Sequence, residues 1–167
     1  MMQLRVNALV QQGVRPKDMP AEWFSIDGSL DYTNPFQLYL YIANASRLLD
    51  FEKWEEAHRM FEETYRHRAD IIGLYVKEIA CELLFTSLVT ERTELAAELY
   101  TEDLKKYIQQ FRGVMSSKER VLCAIAKFME HDEAKAHSIC ESVRGRRHKF
   151  LMQGEIESDL ALMDAIL

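Results

Sequence analysis

The stretch Leu48-Leu49-Asp50-Phe51-Glu52-Lys53-Trp54-Glu55-Glu56-Ala57-His58-Arg59-Met60-Phe61 constrains the fold of this chain more than any other. Apolar residues recur at helical spacing on both sides of Asp50-Phe51-Glu52, so two helices meet across a connection short enough to make them antiparallel neighbours. An aromatic follows the turn, a small alanine comes three residues later, and a large aromatic stands four residues beyond that. A small side chain in the second helix lets the two backbones approach closely.

The pattern recurs. Ala57, Ala96 and Ala136 stand 39 and 40 residues apart, each placed as the small residue of a hairpin's second helix. Four residues after each lie Phe61, Tyr100 and Cys140, and twelve residues before them lie Ala45, Leu84 and Ala124. A fixed period in this range marks a helical repeat, somewhat longer than the roughly 34 residues of the commonest two-helix unit.

The rest of the chain reads as helices with identifiable ends. Leu4, Ala8 and Leu9 give a helix over residues 3–12, with Gly13 placed to cap it. Pro16 and Pro20 exclude a continuous helix after it. The stretch 21–33, with Trp23, Phe24 and Ile26, is expected to be an ordered lid over the first hairpin. Asn34-Pro35 is a helix start, with Asn as cap and Pro at the first helical position. That helix is predicted to reach about Leu49 and to pack through Leu38, Ile42, Ala45 and Leu49. The next is expected from Glu52 to about Arg66, and a third from Asp70 to about Val89. Ile72, Val76, Ile79, Leu83 and Leu84 leave the third little polar face, which makes it central.

Thr93 to Tyr100 is a shorter helix, and Thr101 caps another that runs to Phe111. Ser116 with Glu119 forms a capping box, and Asp132 caps a helix ending near Gly145. Ile156, Leu160, Met163 and Ile166 define a last amphipathic helix. No segment alternates convincingly enough to be a strand, so the expected class is all-α. The expected organisation is an N-terminal helix and proline-containing lid over residues 1–33, joined in a single compact unit to a helical-repeat domain over residues 34–167.

Composition narrows function. The net charge of −6 argues against nucleic-acid binding, which needs a concentrated basic face. Cys81, Cys123 and Cys140 fit no zinc spacing and read as reduced core thiols, which points to a cytoplasmic location. The polar start Met1-Met2-Gln3-Leu4-Arg5 does not read as a signal peptide, and no run of 18 apolar residues exists to span a membrane. A doubled Met at the start of a helical pattern suits a fragment of a longer protein.

The first hairpin resembles a tetratricopeptide repeat, with Tyr41, Ala45, Leu48, Trp54, Ala57 and Phe61 in register. The later units depart from the family pattern: Leu84 stands where a small residue is preferred, and Arg120 and Lys127 stand at positions usually apolar. The resemblance implies antiparallel helical hairpins stacked as a short right-handed superhelix, with the N-terminal and C-terminal helices flanking the stack. A second resemblance rests on Gly13-Val14-Arg15-Pro16-Lys17-Asp18-Met19-Pro20-Ala21-Glu22-Trp23-Phe24 and on Ile79-Ala80-Cys81-Glu82-Leu83-Leu84. These runs are similar to the soluble tail of site-2-protease-like (M50-type) membrane metallopeptidases of Gram-positive bacteria. The His-Glu-x-x-His zinc motif of those enzymes is absent from this sequence, so the resemblance implies an accessory domain and carries over no catalytic residue.

Nothing in the sequence asks for catalysis. His58 and His67 point to opposite faces of a helix, and His131 and His137 miss the three- or four-residue spacing of a helical metal pair. No phosphate loop or nucleophile elbow is present. The expectation is a non-enzyme with no cofactor and no metal. The charged cluster with character is Arg144, Arg146, Arg147 and Lys149. It reads either as a solvated loop that neutralises a helix end or as a contact for anions such as lipid head groups at the inner face of a membrane.

The expected function is therefore protein–protein interaction: a peptide or helix bound in a concave groove lined by the first helix of each hairpin. The residues expected to line it are Gln37, Tyr41, Asn44, Arg47, Lys77 and Lys127. Two alternatives stand beside this reading: a homodimer built on the groove or the apolar third helix, and a cytosolic regulatory tail of a membrane-bound zinc metallopeptidase.

Overall fold

The computed structural model describes residues 2–26, 28–109 and 124–144. Helices dominate these residues and no strand is among them, so the described part of the chain is all-α. The order is α1 (Met2–Gln11), two 3₁₀ turns (Pro16–Asp18 and Ala21–Phe24), α2 (Pro35–Asp50), α3 (Trp54–Arg66), α4 (Gly73–Val89), α5 (Thr93–Leu99) and α6 (Glu102–Gln109). The described part of α7 covers residues 124–129, and α8 is Glu133–Arg144. Packing groups the chain into two units, residues 1–79 and 80–167, with the boundary inside α4. The capping box at Ser116 and the C-terminal helix expected over residues 156–166 lie outside the described residues.

In the first unit α1 ends as glycine predicts. Gly13 takes φ +84, its N–H donates to the Val10 carbonyl at 2.9 Å, and the Val14 N–H donates to the Leu9 carbonyl at 2.9 Å. That pair of bonds satisfies carbonyls the helix leaves open, at a φ that only glycine adopts without cost. The start of α2 is built by side chains. Asn34 Oδ1 accepts from the Phe36 and Gln37 N–H groups, and Asp31 Oδ1 accepts from both the N–H and the hydroxyl of Thr33. The Thr33 hydroxyl, above all, holds the Asp31 carboxyl below its ordinary range.

α2 is the hub of this unit and buries two opposite sides. Leu40 and Ala43 pack with Val6, Met19 and Phe24 of the N-terminal segment. Leu38 packs with Ile71 and Ile79, with Ile42, Tyr65, Tyr75 and Val76 at the margin. At 100° per residue, Leu38 and Leu40 fall on nearly opposite sides of the helix, which is why one short helix can carry two cores.

α4 is strongly apolar, and every residue from Ile79 to Ser87 is buried. Its hydroxyls turn back on the helix. Thr86 Oγ1 donates to the Glu82 carbonyl at 2.9 Å, and Ser87 Oγ donates to the Leu83 carbonyl at 2.6 Å. Such back-bonding lets small polar residues sit inside a buried helix. The helix begins at Gly73 and not at Asp70 as the periodicity suggests: the Ile72 carbonyl accepts the i+4 bond that opens it, from the Val76 N–H at 3.4 Å.

One turn is built three times. Glu52, Glu91 and His131 take φ +58, +60 and +60, none of them a glycine. At each, that residue's N–H donates to the carbonyl three back, from Leu49, Leu88 and Phe128. The next N–H (Lys53, Arg92, Asp132) reaches the carbonyl five back, on Leu48, Ser87 and Lys127. This is the same double bond pattern that closes α1, so α2, α4 and α7 share one mode of termination. It also explains why α3 begins at Trp54 and not at Glu52. Five residues beyond each left-handed residue stands Ala57, Ala96 or Ala136, each with no exposed surface. Twelve residues before these alanines, Ala45, Leu84 and Ala124 are buried as well.

A left-handed residue with a Cβ costs about 1 kcal/mol or more relative to glycine. Replacing Glu91 with Gly is expected to stabilise the chain by about 0.5 to 1 kcal/mol in urea unfolding, while Ala96→Leu, which fills a closed space, is expected to cost about 1 to 3 kcal/mol.

Candidate functional site

The side chains expected to line a groove lie on α2, on α4 and on α7, and those on α2 share the most structure. Gln37, Tyr41, Asn44 and Arg47 are all half-buried on α2. Gln37 Oε1 accepts from the Asp31 N–H at 2.9 Å, which ties the preceding turn to the helix. Tyr41 donates its hydroxyl to Glu63 Oε2 of α3 at 3.0 Å, and Tyr32 donates to Glu63 Oε1 at 3.3 Å. Burial, then the Glu63 contact, pushes the Tyr41 phenol well above its ordinary range, and Tyr32 is raised for the same reasons. Both therefore stay protonated donors at neutral pH. The Tyr32 ring also stacks on His67, with centroids 3.9 Å apart and planes 12° from parallel. A single carboxylate thus fastens the residues before α2, α2 itself and the end of α3.

Arg47 sits at the other end of α2. Its guanidinium lies over the Phe51 ring at 5.0 Å and over the Phe24 ring at 5.9 Å. Its Nε is buried and meets no hydrogen-bond acceptor among the described residues. Phe51, in the turn, is 48% exposed. Lys77 is exposed on the first part of α4.

Lys127 belongs to the second unit and joins a different node. Its Nζ lies 2.6 Å from Glu130 Oε2, and Lys105 of α6 lies 3.1 Å from Glu130 Oε1. The Tyr100 hydroxyl is 3.2 Å from both Glu130 Oε1 and the Ala126 carbonyl, so it shares its one proton between them. These contacts join the end of α5, α6 and the end of α7. The hydrogen bond from Lys127, followed by that from Lys105, holds the Glu130 carboxyl down at about 2.

Of the anion-contact residues, Arg146, Arg147 and Lys149 lie outside the described residues, as does the side chain of Arg144, the last residue of α8. Cys81 is buried within α4. Among the described residues no group of three or more His, Cys, Asp or Glu side chains is arranged to hold a metal ion. No described helix is long and apolar enough to cross a membrane.

Tyr41 was expected on the groove from the sequence without its partner Glu63, whereas Lys127 stands only three residues from Glu130. Glu63 lies 22 residues from Tyr41 and 31 from Tyr32, and Glu130 lies 30 from Tyr100. No local spacing links them; only the helix packing does. No protein-family description, curated protein or solved structure matches this chain in comparison.

Tyr41→Phe removes one charge-assisted bond between α2 and α3 and is expected to cost about 1 to 2 kcal/mol, measured by chemical unfolding. Glu130 has a folded-state pKa below its unfolded value, so its contribution is complete above about pH 4.5 and is lost as pH falls toward about 2. The stability difference between the parent chain and Glu130→Gln should therefore be constant from pH 5 to 7 and shrink across that acid window, as read by urea titrations at stepped pH.

Proposed function

We propose that the chain is a non-catalytic protein-interaction module of tetratricopeptide-like helical hairpins, which takes a peptide or helix of another protein along α2. The observation that carries this reading is the turn repeated at Glu52, Glu91 and His131, each followed five residues later by a fully buried alanine. Hairpins that share one turn and one close-packing alanine are the units of a helical repeat, and helical repeats serve as extended binding surfaces. Within the first unit, Gln37, Tyr41, Asn44 and Arg47 give α2 a row of polar and aromatic groups, and Lys77 on α4 adds a cation. Side chains of this kind orient a bound helix, while apolar contacts supply most of the affinity.

Self-association is a second reading, favoured by the exposed apolar side chains Phe36, Phe51 and Ile72. Sedimentation velocity over a hundredfold concentration range separates the two: a constant monomer mass supports the module, and a concentration-dependent mass supports the dimer.

The module itself is tested by display selection of helical peptides against the purified chain. Asn44→Ala with Lys77→Ala changes the surface row while leaving the Tyr41–Glu63 bond in place. Selected helices should bind this variant at least tenfold more weakly, with the helical spectrum and thermal melt unchanged. Undiminished binding would move the site off α2.

A further inference from the structure

One of the α2 side chains assigned to partner binding is already met by the chain's own N-terminal segment: the Arg47 guanidinium lies over the Phe24 ring. On the same side of the helix, Val6, Met19 and Phe24 bury against Leu40 and Ala43, with Trp23 and Tyr39 packed at the margin. Trp23 in turn carries the Arg5 guanidinium at 4.5 Å from its ring centre.

Helical geometry makes this one stripe. At 100° per residue, Tyr39, Ala43, Arg47 and Leu40 fall within an arc of about 100°, on the side of α2 away from Leu38 and Ile42. An apolar stripe of that width, with a cation at one end, is the kind of surface on which an amphipathic helix docks. The segment that covers it fits imperfectly in one respect. Arg47 Nε is buried with no acceptor among the described residues, and the charge is set against phenyl rings where a carboxylate would serve better.

We propose that residues 2–24 are an autoinhibitory lid on α2, displaced by an acidic amphipathic helix of a partner protein. This rests on the binding reading above: it places the partner on the Leu40–Ala43 side of α2, which shares Arg47 with the row from Gln37, and names the regulation and the chemistry of the ligand. The incoming helix lays apolar side chains where Val6, Met19 and Phe24 now lie and brings an Asp or Glu to Arg47. Because the open form is the minor one in the resting chain, the apparent affinity is lowered by the fraction of molecules with the lid open.

The test uses the full chain and two probes: a fluorescent synthetic peptide of residues 1–24, and an acidic amphipathic helix from the display selection. Anisotropy titrations compare the parent chain with Phe24→Ala and with the milder Met19→Ala, which guards against a variant that fails to fold. Loosening the lid should tighten binding of both probes about tenfold, and unlabelled 1–24 peptide should compete with the selected helix. Equal affinity of the selected helix for the parent and both variants would overturn the lid while leaving the module intact. A 1–24 peptide that binds no variant would also overturn it, provided the α1 and Phe24 amides exchange hydrogen only with global unfolding. A selection that yields no helix would sink the binding reading and the lid with it, and the peptide titration would then report only on opening of the segment.

Discussion

Everything in this structure depends on a costly backbone choice made three times. At Glu52, Glu91 and His131 a residue with a side chain is held at φ near +60°, where glycine would sit more easily. The turn is kept because it delivers the next helix at a fixed register. The alanine five residues on is then shut away from solvent: Ala57, Ala96 and Ala136 have no exposed surface. Close approach of two helices needs both parts: a turn that aims the second helix and a side chain small enough not to hold it off. The strain at the turn is offset by the packing that the turn makes possible.

Around this frame, each unit is fastened by one carboxylate. Glu63 gathers Tyr32 and Tyr41, and Glu130 gathers Lys105, Lys127 and Tyr100. The Tyr41–Glu63 bond at 3.0 Å ties α2 to α3, and Lys105 and Tyr100 reach Glu130, just past α7, at 3.1 and 3.2 Å. Charge-assisted bonds of this kind are directional in a way that apolar burial is not. They also occupy side chains that a partner could otherwise use. On α2 the row from Gln37 to Arg47 is already engaged by the turn before it, by α3 and by the N-terminal segment.

What was legible in the sequence was local. Asn34, Thr101 and Asp132 were readable as caps because each bonds within three residues of itself, and in the structure each accepts from a backbone N–H at the start of its helix. The alanine spacing was readable because burial imposes it directly on residue size. The left-handed turns were not, since Glu and His give no signal for positive φ and only the repeated bond pattern exposes them. Nor were the tyrosine–carboxylate contacts, whose members stand 22 to 31 residues apart and meet only once the helices have packed. Arg47 shows the difference well. Its place on α2 and its neighbour Phe51 could be read from spacing, but the Phe24 ring beside it could not.

The central claim is that one turn is used three times, and the most direct measurement is backbone NMR of Glu52, Glu91 and His131. The shared-turn account predicts the strong intraresidue amide-to-Hα contact and the carbon shifts of a left-handed residue at all three positions. Ordinary helical or extended values at Glu91 or His131 would contradict it, leaving one hairpin beside unrelated helices.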